Sequence, residues 1–148
     1  NGEPVLVDFA TVLEGYMVDQ TRIFWLGDPP EDLQRAYRTA QEINRSLMPM
    51  GAAGAGSREL YLQASALAKQ AGLEKFFMGY ESKANFIGHG VGLELDEIPV
   101  IAPTVNYILE EGMVFALEPK FIFPGRGAVG IEDTFVVRSR GLEQLTRR

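Results

Sequence analysis

The 148-residue sequence contains no cysteine and a single histidine, His89. The first absence excludes a disulfide scaffold, thiolate-bound zinc, an iron–sulfur cluster and a thiol nucleophile. The second excludes a metal centre that takes two imidazoles from this chain. No apolar run approaches the roughly 18–20 residues of a membrane span, and the opening NGEPVLVDFA has no basic n-region of a secretory signal. Positive charge is also scarce. Fourteen Lys and Arg face twenty Asp and Glu, for a net charge of −6, which argues against a nucleic-acid or anionic-membrane partner. Without cysteine or an export signal, a cytoplasmic protein is expected. Chemistry must therefore rest on carboxylates, hydroxyls, one imidazole or a cofactor.

The order of elements points to an α+β fold, an antiparallel sheet with helices packed on its outer face. Residues 4–26 read as two strands rich in β-branched and aromatic residues, with Glu14-Gly15 as the turn between them. Leu33, Ala36, Tyr37, Ala40, Ile43 and Leu47 recur at helical spacing behind a candidate cap, Asp28. After Gly51–Gly56, Ser57 is expected to cap a second helix carrying Leu60, Ala64, Leu67, Ala68 and Ala71. Residues 76–92 read as loop or short strand around His89, and 97–109 as extended or irregular. Two strands follow, Met113–Phe123 and Val129–Val137, about a Pro124-Gly125-Arg126-Gly127 turn.

Directly opposed residues of an antiparallel hairpin share one index sum. A turn centred between Leu13 and Glu14 sets Asp8 opposite Asp19, and a turn centred on Gly125 sets Glu118 opposite Glu132. Like charges facing each other across a ladder are destabilising, and the flanking residues are apolar. Each acid could lie on a solvated face. Alternatively, the four carboxylates and His89 share a cation, an oxygen-rich set suited to Mn²⁺, Co²⁺, Fe²⁺, Mg²⁺ or Zn²⁺.

Four ordered blocks then resemble a known family. They are Asp8-Phe9-Ala10 with Gly15-Tyr16-Met17-Val18-Asp19-Gln20-Thr21-Arg22, Gly88-His89-Gly90-Val91-Gly92, Glu111-Gly112-Met113-Val114-Phe115-Ala116-Leu117-Glu118-Pro119, and Ile131-Glu132-Asp133-Thr134. Together they resemble the pita-bread (creatinase-like, M24) metallopeptidases, most of all the Xaa-Pro aminopeptidases and prolidases. The resemblance implies a partial pita-bread fold and two divalent ions, Mn²⁺ or Co²⁺ before Zn²⁺ or Fe²⁺. It implies Asp8, Asp19, His89, Glu118 and Glu132 as their ligands, with Asp19 and Glu132 bridging. Glu118 would also move the proton of the nucleophilic water as general base and acid. The implied partner is a peptide substrate, cut after its N-terminal residue and before proline.

Three departures from the family pattern stand out. Asp96 occupies the place of a second histidine that contacts substrate, which makes it a candidate substrate-binding residue. Gly130 replaces the arginine before Ile131-Glu132-Asp133. The chain also opens on the strand of the first ligand, so residues 1–148 are expected to be the C-terminal portion of a catalytic domain. Apolar surface left uncovered by the other half predicts a homodimer or self-association. Asp96 and Gly130 motivate an alternative, a degenerate homologue that binds a peptide or protein without cutting it. A creatinase-like amidinohydrolase is a third reading.

Overall fold

The computed structural model describes residues 2–146. Two long strands, β1 (Glu3–Leu13) and β2 (Tyr16–Leu26), form an antiparallel hairpin of their own. Helices α1 (Glu31–Leu47) and α2 (Ser57–Gln70) follow. The remaining strands are β3 (Gly88–Gly90), β4 (Glu97–Ile101), β5 (Val114–Leu117), β6 (Lys120–Phe123), β7 (Gly127–Gly130), β8 (Asp133–Arg138) and β9 (Gly141–Gln144). They build a five-stranded antiparallel sheet in the order β4-β3-β5-β8-β9 and a separate β6–β7 pair. Phe115, Phe121, Phe135, Leu33, Ile43, Leu47 and Leu60 are fully buried between helices and sheet.

The helical stripes fall where periodicity puts them. Leu33, Ala36, Ala40, Ile43 and Leu47 are buried on α1, and Leu60, Ala64 and Ala68 on α2. The expected caps do not form. The N-cap of α1 is Pro30, with no side-chain cap bond. A cap contributes about 1 kcal/mol, little beside three buried Leu and Ile side chains at about 1.5–3 kcal/mol each. Ser57 is the first helical residue of α2, and its hydroxyl accepts the Tyr107 N–H at 2.9 Å.

Both hairpins turn where glycine marks them, but one register differs from the expectation. Glu14 and Gly15 both have positive φ, 53° and 88°, the two-residue turn whose twist matches a hairpin. The turn centre therefore lies between Glu14 and Gly15. Asp8 pairs with Thr21, and Asp19 with Ala10. A two-residue slip leaves every side chain on its expected face, whereas a one-residue slip would have reversed them. Around Gly125 the expected register holds, from Phe123↔Gly127 out to Val114↔Val136. The ladder is nonetheless interrupted, because Pro119 has no N–H to donate. Each of the two long strands read from the sequence is thus two, and Glu118 and Glu132 stand at the breaks.

Candidate metal centre

The interruption turns both glutamate backbones toward other elements. The Glu118 N–H donates to Ile87 O at 2.8 Å, just before β3. Glu132 exchanges bonds with Thr21 of β2, Glu132 N–H to Thr21 O at 3.2 Å and Thr21 N–H to Glu132 O at 3.3 Å. One point in the fold therefore joins β2, β3 and both halves of the long hairpin. His89 is held there by close backbone packing on either side. A Cβ on Gly88 would lie 2.2 Å from Ala116 O, and one on Gly90 2.3 Å from Ile98 O, so these glycines admit approaches that no other residue allows.

Asp8, Asp19, His89, Glu118, Glu132 and Asp96 line a single cleft of about 410 Å³. Donor atoms of Asp19, His89 and Glu132 come within 4.8 Å of one another, and all three residues are buried. Glu118 adjoins them, with Oε1 3.9 Å from His89 Nε2, while Glu132 Oε1 lies 3.8 Å from the same nitrogen. Asp8 reaches the cleft from β1 and is exposed. Asp96, an exposed residue between β3 and β4, lies beside His89 Nδ1.

A layer of hydroxyls and ion pairs fixes these carboxylates; from the sequence Arg22 reads equally as a partner of a ligand carboxylate or as a surface strand arginine, and the hydroxyls have no assigned role. Thr21 Oγ1 donates to Glu132 Oε2 at 2.7 Å. Thr134 Oγ1 accepts the Asp19 N–H at 3.1 Å and donates to Asp19 O at 2.7 Å. Arg22 donates to Glu132 O at 2.6 Å and to Asp133 Oδ1 at 2.7 Å, and Asp133 also accepts from Thr146 at 2.9 Å. The available signal was Asp133 itself, a charge inside an apolar strand that needs a cation close by. Lys120 pairs with Glu118 Oε2.

Lys120 and Gly130 stand directly opposite each other on β6 and β7. A Cβ on Gly130 would lie 2.6 Å from Lys120 Cβ and 2.7 Å from Pro119 O. Gly130→Arg is therefore expected to destabilise the protein by about 1–3 kcal/mol through overpacking. The denaturation midpoint measures this, and pairing the change with Lys120→Gly should recover only part of the loss, because Pro119 O and the position-120 Cα remain within 3 Å.

Electrostatically the acids outnumber the cations: Lys120 pairs with Glu118, and no Lys or Arg among the described residues pairs with Asp19 or Glu132 through its carboxylate. Burial pushes Glu132 up to about 8 from an ordinary 4.5; the Thr21 hydrogen bond partly offsets this, and the charges of Asp19, Glu118 and Asp8 add to it. Asp19 is raised as well, by burial first and by Asp8 next. Burial alone would lower Lys120, yet Glu118, Glu132 and Asp8 raise it. Asp19 Oδ1 is buried with no hydrogen-bond partner, and buried polar atoms are rarely left so. An unpartnered carboxylate oxygen among carboxylates and one imidazole is the donor chemistry of a hard or borderline divalent ion. The residues present fit such an ion.

The model of metallopeptidase family M24 matches residues 1–139. The Xaa-Pro dipeptidase of Pyrococcus furiosus is 32% identical over 146 residues, covering 99% of this chain and 40% of the relative. Among solved structures, the X-Pro aminopeptidase from Thermotoga maritima MSB8 superposes with a TM-score of 0.90 at 28% identity, over 99% of this chain and 40% of that one. Dipeptidase PepE from Mycobacterium ulcerans gives a TM-score of 0.90 at 32% identity, over 99% and 38%. The chain thus spans about two fifths of the length of the relatives it matches, and its fold is part of the pita-bread architecture they share.

Proposed function

Because the chain belongs to metallopeptidase family M24, we propose that it carries the metal-binding part of an exopeptidase that releases an N-terminal residue from in front of proline. The convergence of Asp19, His89 and Glu132 within 4.8 Å, with Asp19 Oδ1 buried and unpartnered, carries this reading. Asp8, Asp19, His89, Glu118 and Glu132 would hold two divalent ions. Such ions polarise a peptide carbonyl and make water nucleophilic near neutral pH. Glu118 takes a proton from the attacking water and hands it to the departing nitrogen as the C–N bond breaks. Lys120, paired with Oε2, leaves Oε1 of Glu118 facing the cleft. Val5, Val7, Leu13, Tyr16 and Phe24 share one exposed apolar face of β1–β2, a surface that supports self-association.

The test uses the full-length protein that carries this sequence. Xaa-Pro peptides are expected to be cut before proline, with activity lost to a chelator and restored by Mn²⁺ or Co²⁺. Peptide left uncut by metal-loaded protein would overturn catalysis. It would favour the binding-only reading, to which Asp96 lends support as an acceptor where the family has histidine.

A further inference from the structure

His89 presents its two ring nitrogens to different surroundings. Nε2 points at the acid cluster, 3.8 Å from Glu132 and 3.9 Å from Glu118. Nδ1 lies 3.2 Å from Asp96 Oδ1 and 3.2 Å from Gly90 O. A neutral imidazole carries one N–H, and the nitrogen that ligates a metal must be bare. The Gly90 carbonyl is the hydrogen-bond partner of Nδ1, and the Asp96 carboxylate adds a negative charge beside it. The Gly90 carbonyl comes with the strand, but Asp96 is an added anion on a separate loop.

That loop is built tightly. The Gly92 N–H donates to Glu94 O at 3.0 Å, and the Glu94 N–H to Glu97 Oε2 at 3.1 Å. A Cβ on Gly92 would stand 2.7 Å from Glu97 Oε1. Glu97 opens β4, the strand paired to the one that carries His89, so a single pairing sets the positions of both Asp96 and His89. Phe86 meets the imidazole edge-on, with ring centroids 6.3 Å apart.

We infer that Asp96 is a positioning residue for His89: its charge beside Nδ1 reinforces the Gly90 hydrogen bond in keeping the proton on that nitrogen, which leaves Nε2 bare toward the acid cluster and strengthens it as a ligand. This rests on the metal-binding reading above and assigns Asp96 a task other than touching substrate. A histidine at position 96 would bring no fixed negative charge to Nδ1.

The test compares full-length protein and variants labelled with ¹⁵N-histidine, with His89→Gln to assign the signals. In the neutral imidazole of the metal-free parent the Nδ1–H tautomer is expected to predominate, and in Asp96→Ala the share of Nε2–H is expected to rise. In calorimetric titration with Co²⁺, Asp96→Asn is expected to bind roughly 10- to 100-fold more weakly than the parent. Asp96→Glu should restore part of the loss and Asp96→His none, with the metal-free melting temperature unmoved throughout. The same tautomer share in parent and Asp96→Ala, or Co²⁺ affinity of Asp96→Asn within twofold of the parent, overturns the inference. A parent that takes up no Co²⁺ removes the metal-site reading, and the tautomer comparison still decides whether Asp96 orients His89.

Discussion

Glu132→Gln is expected to lose divalent-ion binding and, at the same time, to stabilise the metal-free protein. The loss should exceed the roughly 10–100-fold that follows removal of a supporting residue, since a ligand oxygen is replaced by an amide. Titration with Mn²⁺ or Co²⁺ measures it. The gain has a separate cause. Glu132 is 2% exposed and faces Asp19 and Glu118, so its charge is costly to bury without a cation. Glutamine keeps the shape and can still accept the Thr21 hydroxyl through its amide oxygen. At pH 8, the Glu132→Gln variant without metal should unfold at a higher denaturant concentration than the parent. A parent that is the more stable of the two at that pH would contradict the buried-charge account.

The second prediction concerns pH. In the folded metal-free protein Glu132 titrates near 8, against an ordinary 4.5. A carboxyl whose folded value is raised binds its proton more tightly when folded, so stability falls as pH rises between the two values. Below pH 4.5 the group is neutral in both states and contributes no slope. Between 4.5 and about 8 the metal-free protein should lose stability, at most about 1.4 kcal/mol per unit, and above that range the contribution levels off. The raised Asp19 acts in the same direction. With metal present the sign reverses, because protons compete with ions for the same oxygens. Denaturant midpoints across this range, with and without Mn²⁺, measure both slopes, and the Glu132→Gln variant should be flatter than the parent without metal.

These expectations rest on features that were unequally legible in the sequence. The long hairpin could be placed to the residue because Pro124-Gly125-Arg126-Gly127 marks its turn and few other centres are compatible with glycine there. The first hairpin was displaced because Glu14, a residue that seldom adopts positive φ, takes the left-handed conformation at 53°. The acids still reached the expected face, since moving a turn centre by one residue moves partners by two. Pro119 signals that a ladder will break there. It does not signal where the released N–H of Glu118 goes, because Ile87 is remote in the chain. For the same reason the Lys120–Gly130 opposition and the Thr134, Asp133 and Thr146 network were not read beforehand. They are pairings between segments, and no local pattern encodes them.

The reciprocal bonds between Asp19 and Thr134 have a kinetic consequence. They span 115 positions, and the Thr21–Glu132 bond spans 111. Each hairpin closes over a short loop, whereas joining them closes almost the whole chain, the slowest kind of contact to establish. The acid cluster is therefore expected to assemble after the hairpins that supply it. If so, an ion that recognises only the completed cluster would slow unfolding and leave the folding rate unchanged.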